Sequence, residues 1–430
     1  MEVLKFLNWL ICLLFAICYA YQIIYIPFGL FGKEKPPKVK PVPHDFAILI
    51  CARNEAAVIG DLLDSIKRQT YPAERLRVFV MADNCTDDTA VIAARAGATV
   101  YERTDTEHVG KGYALDALMR HIKEDCPAGF DGYLVFDADN LLKEDYIEQM
   151  NVTFSQGNDI ITSYRNSKNY GQNWVSAGYA LWFLRESRYL NGARAALNTS
   201  CAVSGTGFLF SRAVAEEMDG WPFHLLIEDI EFSIYQIVER GRKIAYCARA
   251  ELFDEQPIKF RQSWRQRLRW SRGYFQILRH YGGRLLKGIF HGNYACFDMT
   301  MIIAPAFILT TLAVVINVTL TAWGVILGGG ASDLLIAMQS LGQAMLNGYL
   351  LVAAVGGITA VSEWKRIQSS AWRKILSILT FPLFMYTYIP VAIVAIFYRN
   401  VGWKPIQHTM SVKQMQAKGI TVPNEKDHET

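Results

Sequence analysis

Apolar positions follow three successive patterns along this chain. Residues 3 to 31 are apolar almost throughout, with Lys5 the one charge. The run exceeds the roughly 20 residues that span a bilayer core. It is too long for the apolar part of a signal peptide and lacks a small-x-small cleavage site, so it predicts a transmembrane anchor. From His44 to about Gly132 short apolar runs alternate with segments of helical period. FAILICA (46–52), RVFVMA (77–82), ATVYE (98–102) and YLVFDAD (133–139) read as strands. AAVIGDLLDSIKRQ (56–69), DDTAVIAARAG (87–97) and GYALDALMRHIKED (112–125) read as helices. This alternation predicts an α/β unit with a parallel sheet covered on both faces. Three apolar segments close the chain, at about 299–327, 334–361 and 375–398, each long enough to span.

These changes of pattern divide the chain into an anchor (1–32), an α/β domain (33–255), a basic amphipathic section (256–295), a membrane section (296–400) and a polar tail (401–430). Lys33, Lys35, Lys38 and Lys40 follow the anchor and place the domain in the cytoplasm by the positive-inside rule. Interspersed prolines make that segment a stiff spacer. The section FRQSWRQRLRWSRGYFQILRHYGGRLLKG (260–288) interleaves arginines with aromatic and aliphatic residues and carries no acid, which suits a helix in a membrane interface. The turn GGGASD suits the outside and EWKRIQSSAWRK (363–374) the inside. The tail carries Arg399, Lys404, Lys413, Lys418 and Lys426 and should also lie inside, although a single apolar segment separates it from the basic loop. Either that segment, interrupted by Pro382 and Pro390, does not cross simply, or the tail departs from the charge rule.

Composition adds bounds. An apolar content of 51% and a mean hydropathy of +0.12 call for a lipid bilayer as partner. The net charge of +4 is too even to suggest nucleic acid. The eight cysteines form no CxxC pair and no zinc-spaced cluster, and read as reduced thiols.

The chemistry lies at the strand ends. Arg53-Asn54-Glu55 follows the first strand, Asp83-Asn84 the second, and Asp137 and Asp139 end YLVFDAD, so polar groups from three strands gather on one sheet edge, where open α/β sheets bind ligands. Two aspartates one residue apart can hold Mg²⁺ or Mn²⁺ against a diphosphate, because hard oxygen ligands suit these ions. A solvated turn is the competing reading of the pair alone. Asp87 or Thr86 can also serve as a helix cap. Lys111 sits between two glycines before a helix, where phosphates are favoured. SGTGFLFSR (204–212), with Gly205 and Thr206, has the small residues of a backbone that approaches a ligand closely, or of a plain strand entry. In LLIEDIEFSI, Glu228, Asp229 and Glu231 interrupt an apolar stretch. Such carboxylates acquire raised pKa values and serve as general bases, or else form an acidic first helical turn.

The ordered series ARNE (52–55), ADNCTDDT (82–89), GKGYAL (110–115), DAD (137–139), SGTGF (204–208), IED (227–229) and QRLRW (266–270) resembles the membrane-embedded processive family 2 glycosyltransferases, which include cellulose, hyaluronan and poly-N-acetylglucosamine synthases. The resemblance covers about residues 44–275 and implies a GT-A fold, Rossmann-like and set between transmembrane helices, with a nucleotide-sugar donor, most often a UDP-sugar. Carried over, Glu55, Asp83 and Lys111 contact the nucleoside and its phosphates, and Asp137 and Asp139 hold the diphosphate through Mg²⁺ or Mn²⁺. Asp229 is the general base, with Glu228 beside it. Gln266, Arg267 and Arg269 hold the diphosphate, and Trp270, Gly205 and Thr206 border the acceptor. The chain departs from the family in Ile227 before Glu228-Asp229, in Asn84, in having a single anchor before the domain, and in lacking an FxVTxK gating signature and a PilZ-like domain. The implied activity is elongation and export of a polysaccharide. Three C-terminal spans would make a narrow channel that a second copy of the chain or an export partner completes. Two other readings stay open: transfer of one or a few sugars to a glycolipid acceptor, and an inactive membrane scaffold, against which the intact Asp137, Asp139 and Asp229 speak.

Overall fold

The computed structural model describes residues 2–32, 36–326, 331–398, 406, 408–418 and 420. Lys33 and Lys35 of the spacer, the glycines of the GGGASD turn, and Arg399, Lys404 and Lys426 of the tail lie outside the described residues.

Strands β1 (Phe46–Ala52), β2 (Leu76–Asp83), β3 (Thr99–Arg103), β4 (Gly132–Asp137), β5 (Leu141–Leu142), β6 (Ile160–Ser167), β7 (Phe208–Ser211) and β8 (Ala245–Asp254) form one sheet in the order β3-β2-β1-β4-β7-β6-β8-β5. β1 to β4 pair in parallel, as the alternation predicts. The sheet as a whole is mixed, because β7 runs antiparallel to both β4 and β6 and β5 runs antiparallel to β8.

Residues of β1 alternate between two apolar layers. Ala47 and Leu49 face one, Ile48 and Ile50 the other, which is why the strand reads as continuously apolar. Helix α1 (Glu2–Phe31) precedes the sheet. Helices α2 (Ile59–Lys67) and α3 (Thr89–Arg95) cover one face, α4 (Lys111–Asp125) the other, and α5 (Tyr146–Phe154) packs beside α2. Helix α6 (Trp174–Arg185) runs through a π-helical stretch, Glu186–Asn191, into α7 (Gly192–Ala196). Helices α8 (Arg212–Met218) and α9 (Glu228–Val238) join α4 over the core, and Ile277, Tyr281 and Leu285 of α10 (Phe260–Phe290) extend the same cluster. Phe260 at the start of α10 and Leu286 and Phe290 near its end are exposed, while apolar residues between them pack on the core.

The remaining helices are α11 (Tyr294–Ile303), α12 (Pro305–Ile326), α13 (Ala331–Ser362), α14 (Ala371–Tyr386), α15 (Tyr388–Phe397) and α16 (Val412–Ala417). Among the described residues four stretches are long and apolar enough to cross a membrane: Val3–Phe31, Pro305–Trp323, Leu334–Ser362 and Ala371–Phe397. The run expected at 299–327 is divided at Pro305, which has no N–H for the preceding turn. Its first part, α11, carries Asp298, which forms a two-pronged ion pair with Arg194 of α7 at 2.6 and 3.1 Å. Both side chains are 0% exposed, and Tyr25 of α1 donates a third bond to Asp298 at 3.0 Å. This pair fastens the anchor to the domain.

The last apolar segment, Ala371–Phe397, is broken near its middle. α14 and α15 separate at Thr387, where Pro390 cannot donate to the Tyr386 carbonyl. At its start Arg373 bonds the Gly171 carbonyl (2.8 Å) and Tyr170 bonds Ser377 (2.5 Å). Beyond its end His408 bonds Glu55 (2.9 Å). Both flanks therefore rest on the α/β domain.

Candidate functional site

The three strand ends deliver their polar groups to one cleft. Lys111 at the start of α4 forms an ion pair with Asp137 and donates to the Gly205 carbonyl at 2.8 Å. Gly205 adopts φ +79°, a conformation open to glycine without cost, and turns that carbonyl toward the lysine. Thr206 points away from the cleft. Its hydroxyl accepts the Asp137 N–H (2.9 Å) and donates to Asn140 (2.5 Å), so it fixes the DAD turn and does not border an acceptor. Asp139 accepts the Glu255 N–H at 2.7 Å. Burial opposes its charge, yet His408, Lys168, that N–H and Arg165 hold its pKa below the ordinary value. Asp83 is paired with Arg103 at 2.6 Å.

Glu228 and Asp229 open α9 on the other side of the cleft, Asp229 lying 4.0 Å from where a Cβ on Gly205 would stand. Burial raises the pKa of both, and the charge of Asp229 raises Glu228 further. The helix-start N–H of Ile230, Lys111 and Arg269 act against the rise at Asp229. Gln266, Arg269 and Trp270 of α10 line the same cavity. Arg269 bonds the Leu226 carbonyl (2.6 Å), and the buried Gln266 Oε1 has no hydrogen-bond partner among the described residues. α10 is held at this distance by Gly273, where any Cβ would come within 2.6 Å of Ile227.

Arg267 is not brought to the cleft. Its guanidinium is buried between the rings of Phe384 and Tyr388, at 4.7 and 4.9 Å, and donates to the Phe384 carbonyl and the Thr387 hydroxyl at the break between α14 and α15. It closes that break, and this position does not allow the expected contact of Arg267 with a diphosphate.

Several residues in the cleft carried no sequence motif. Arg165 of β6 bonds Asp254 (2.6 Å) and the Ser204 carbonyl (2.8 Å). Glu186 begins the π-helical stretch, accepts from Ser204 (3.3 Å) and is raised by burial. π-Helical turns of this kind recur at functional sites. Asp254 and Glu255 end β8 as Asp137 ends β4, and that repeated acid-after-apolar pattern could have revealed them. From the tail, His408 bonds both oxygens of Glu55 (2.9 and 3.0 Å). Burial pushes Glu55 up to about 7 against the pull of His408. Burial disfavours the charge on His408, but Asp139, Glu55 and Glu255 raise it to about 10. The backbone of Met410 donates to Glu255 (2.8 Å) and that of Val412 to Asp61 (2.7 Å), laying the tail across the sheet edge.

A cleft that sets an ionised acid and a partly buried lysine against a pair of raised carboxyls can place a negatively charged group opposite a proton acceptor. The model of the glycosyltransferase-like family 2 matches residues 43–273, more than half of the chain and every part of this cleft except the tail that carries His408. The chain is a family 2 glycosyltransferase. The glycosyltransferase is 25% identical over 244 residues to a probable glycosyltransferase of Bacillus subtilis, covering 53% of this chain and 54% of that one. It is 24% identical over 281 residues to a beta-monoglucosyldiacylglycerol synthase of Nostoc, covering 62% and 57%. With a poly-beta-1,6-N-acetyl-D-glucosamine synthase of Staphylococcus aureus it shares 26% over 246 residues, 54% of each. The chain thus spans little more than half the length of these relatives. Among solved structures a mannosyltransferase of Pyrobaculum calidifontis superposes with a TM-score of 0.55 at 18% identity, over 84% of this chain and 98% of that one. That likeness confirms the GT-A-like architecture of the glycosyltransferase.

Proposed function

We propose that this glycosyltransferase moves a sugar from a nucleotide sugar, with inversion, onto an acceptor hydroxyl deprotonated by Asp229. The observation that carries the reading is the placement of Asp229 and Glu228 across one cleft from Lys111, Asp137 and Asp139. The acceptor oxygen attacks the anomeric carbon while the bond from that carbon to the diphosphate oxygen breaks. The proton passes to Asp229, and the electron pair leaves with the nucleoside diphosphate. Lys111, Arg269 and Gln266 receive that diphosphate, while Glu55 and Asp83 border the nucleoside. Burial makes Asp229 a stronger proton acceptor than a solvated carboxylate, and Glu228 stands beside it.

No group of three or more His, Cys, Asp or Glu suited to a metal occurs among the described residues. Mg²⁺ and Mn²⁺ need fewer protein ligands, one or two carboxylates with substrate phosphates completing the shell. Asp139, kept ionised, and Asp137 would hold the ion, which supplies Lewis-acid stabilisation of the leaving diphosphate.

The four apolar stretches support a multi-pass protein of the cell membrane with its catalytic domain in the cytoplasm, the side that Lys38 and Lys40 select. Elongation and export of a polysaccharide is the extension that the poly-N-acetylglucosamine synthases support, and transfer to a lipid is the one that the glucosyldiacylglycerol synthases support. The test is incubation of membranes containing the protein with radiolabelled UDP- and GDP-sugars in Mg²⁺ or Mn²⁺. Release of nucleoside diphosphate with label in an acceptor is expected. Its absence with every donor refutes the reading.

A further inference from the structure

The cavity that begins at the nucleotide cleft does not end there. It continues as one space of about 1570 Å³ between α1, α12, α13 and α15. That exceeds the roughly 300–1,000 Å³ of pockets that hold a single small ligand. Along α1 it is lined from Asn8 to Ile26, about 27 Å at 1.5 Å per residue, close to the roughly 30 Å of a bilayer's hydrocarbon core. At one end stand Asp229, Gln266 and Trp270, and at the other the middle of the apolar helices.

The lining of the membrane part settles what fits there. Phe15, Ile23, Ile302, Val314, Leu351 and Val355 are representative. The amides that interrupt it are taken up by one another: Asn8 donates to Asn317 (3.0 Å) and Ser340 (3.3 Å), and Asn317 donates back to Asn8 (2.7 Å) and to the Ala313 carbonyl (2.8 Å). Asn347 is engaged by Gln343 at 2.9 Å. Tyrosines such as Tyr19 and Tyr274 also border it, but a lining so largely apolar would leave most hydroxyls of a threaded glycan without partners, which buried polar groups do not tolerate. A hydrocarbon chain needs none. Outside the cavity the same helices present Ile308, Leu312, Leu350 and Met338 exposed, as faces toward lipid do.

We infer that the acceptor is a membrane lipid with a hydroxyl headgroup, its hydrocarbon chains lodged among α1, α12, α13 and α15 and its hydroxyl beside Asp229. The inference rests on the transferase reading above and names its acceptor. The bond made is between the lipid hydroxyl oxygen and the anomeric carbon, the bond broken is that to the diphosphate, and the proton goes to Asp229. The unpartnered Gln266 Oε1, at the junction of cleft and cavity, is an acceptor for a headgroup hydroxyl.

The test uses the full chain in phosphatidylcholine vesicles with and without dioleoylglycerol, and with soluble oligosaccharides as the competing acceptor. Label from UDP-glucose, UDP-N-acetylglucosamine or GDP-mannose should enter the solvent-extractable lipid as products of one or a few sugars, only when dioleoylglycerol is present. Ala16→Trp and Ala306→Trp, both filling the cavity, should cut lipid labelling at least tenfold while nucleotide affinity, read by calorimetry, stays within threefold. Retained affinity shows that the variants are folded. Ile308→Trp, on the lipid-facing side of α12, should change neither. Label passing to oligosaccharide or long polymer regardless of dioleoylglycerol, or cavity variants that label lipid like the parent, would overturn the lipid acceptor and spare the transferase. Failure to bind or split any nucleotide sugar would overturn the transferase reading itself.

Discussion

Asp229→Asn tests the centre of the mechanism with the least structural disturbance. The amide fills the space of the carboxylate and can still accept from the helix-start N–H, but it cannot take a proton. A positioned general base contributes about 10²–10⁴ in rate, or about 2.7–5.4 kcal/mol of barrier at 1.36 kcal/mol per decade. Nucleotide binding should hold within about threefold, because Lys111 keeps its partners Asp137 and Gly205 and none of these bonds passes through residue 229. Turnover of labelled sugar and calorimetric affinity for the nucleoside diphosphate are therefore expected to separate. The parent enzyme carries a second signature. Burial raises Asp229, so its active, deprotonated form is gained only as pH climbs through that raised value. The acid limb of kcat/KM should lie above the ordinary carboxylate value of about 3.9, and activity should fall as pH drops through it. A variant within tenfold of parental turnover, or one that loses affinity in step with turnover, would refute the assignment.

Other outcomes follow from the same geometry. Chelation should abolish transfer, with Mg²⁺ or Mn²⁺ restoring it, and Asp139→Asn should raise the metal concentration for half-maximal activity about tenfold or more. Asp298→Ala leaves Arg194 buried without its counter-charge and should cost about 3–5 kcal/mol, read as a lowered Tm in detergent. Replacing both partners with apolar residues should recover much of that loss. Gly273→Leu must push α10 away from Ile227 and should lower kcat about tenfold or more with little change in nucleotide affinity. His408→Ala removes the partner of the buried Glu55 and should weaken nucleotide affinity, measured by calorimetry, about tenfold.

The fold was legible where its causes are local. Strand runs such as FAILICA and YLVFDAD are buried on both faces and declare themselves by composition, and the acids at their ends stand where the chain must turn. The antiparallel β7 was not legible, because a glycine-rich turn does not state the direction of the strand it feeds. Arg267 misled for a reason that helical geometry supplies. At 3.6 residues per turn, Gln266, Arg269, Trp270 and Gly273 share a face, and Arg267 stands about 100° round from Gln266. The cleft face and the face against α14 were both present in QRLRW, and only the packing separates them. Glu186 and Arg165 escaped because nothing nearby in sequence marks them. His408 escaped because its partner, Glu55, is an event of tertiary closure. That both flanks of the last apolar segment pack on the α/β domain was not legible either, because charge does not name the partners Gly171 and Glu55.

The return of the tail to Glu55 bears on how the protein can be handled. The cleft takes its walls from residues as far apart as Glu55, Asp229, Trp270 and His408, and the strap that carries His408 is reached only by passing through every membrane helix. Catalysis is therefore not modular in this chain. A fragment ending at the strand that carries Asp254 would keep the sheet and its aspartates but lose one wall, the strap over the nucleotide and the whole apolar gallery. A chain shortened in that way would lack both Trp270 and His408, so the loss of either wall is open to test only in the full-length protein.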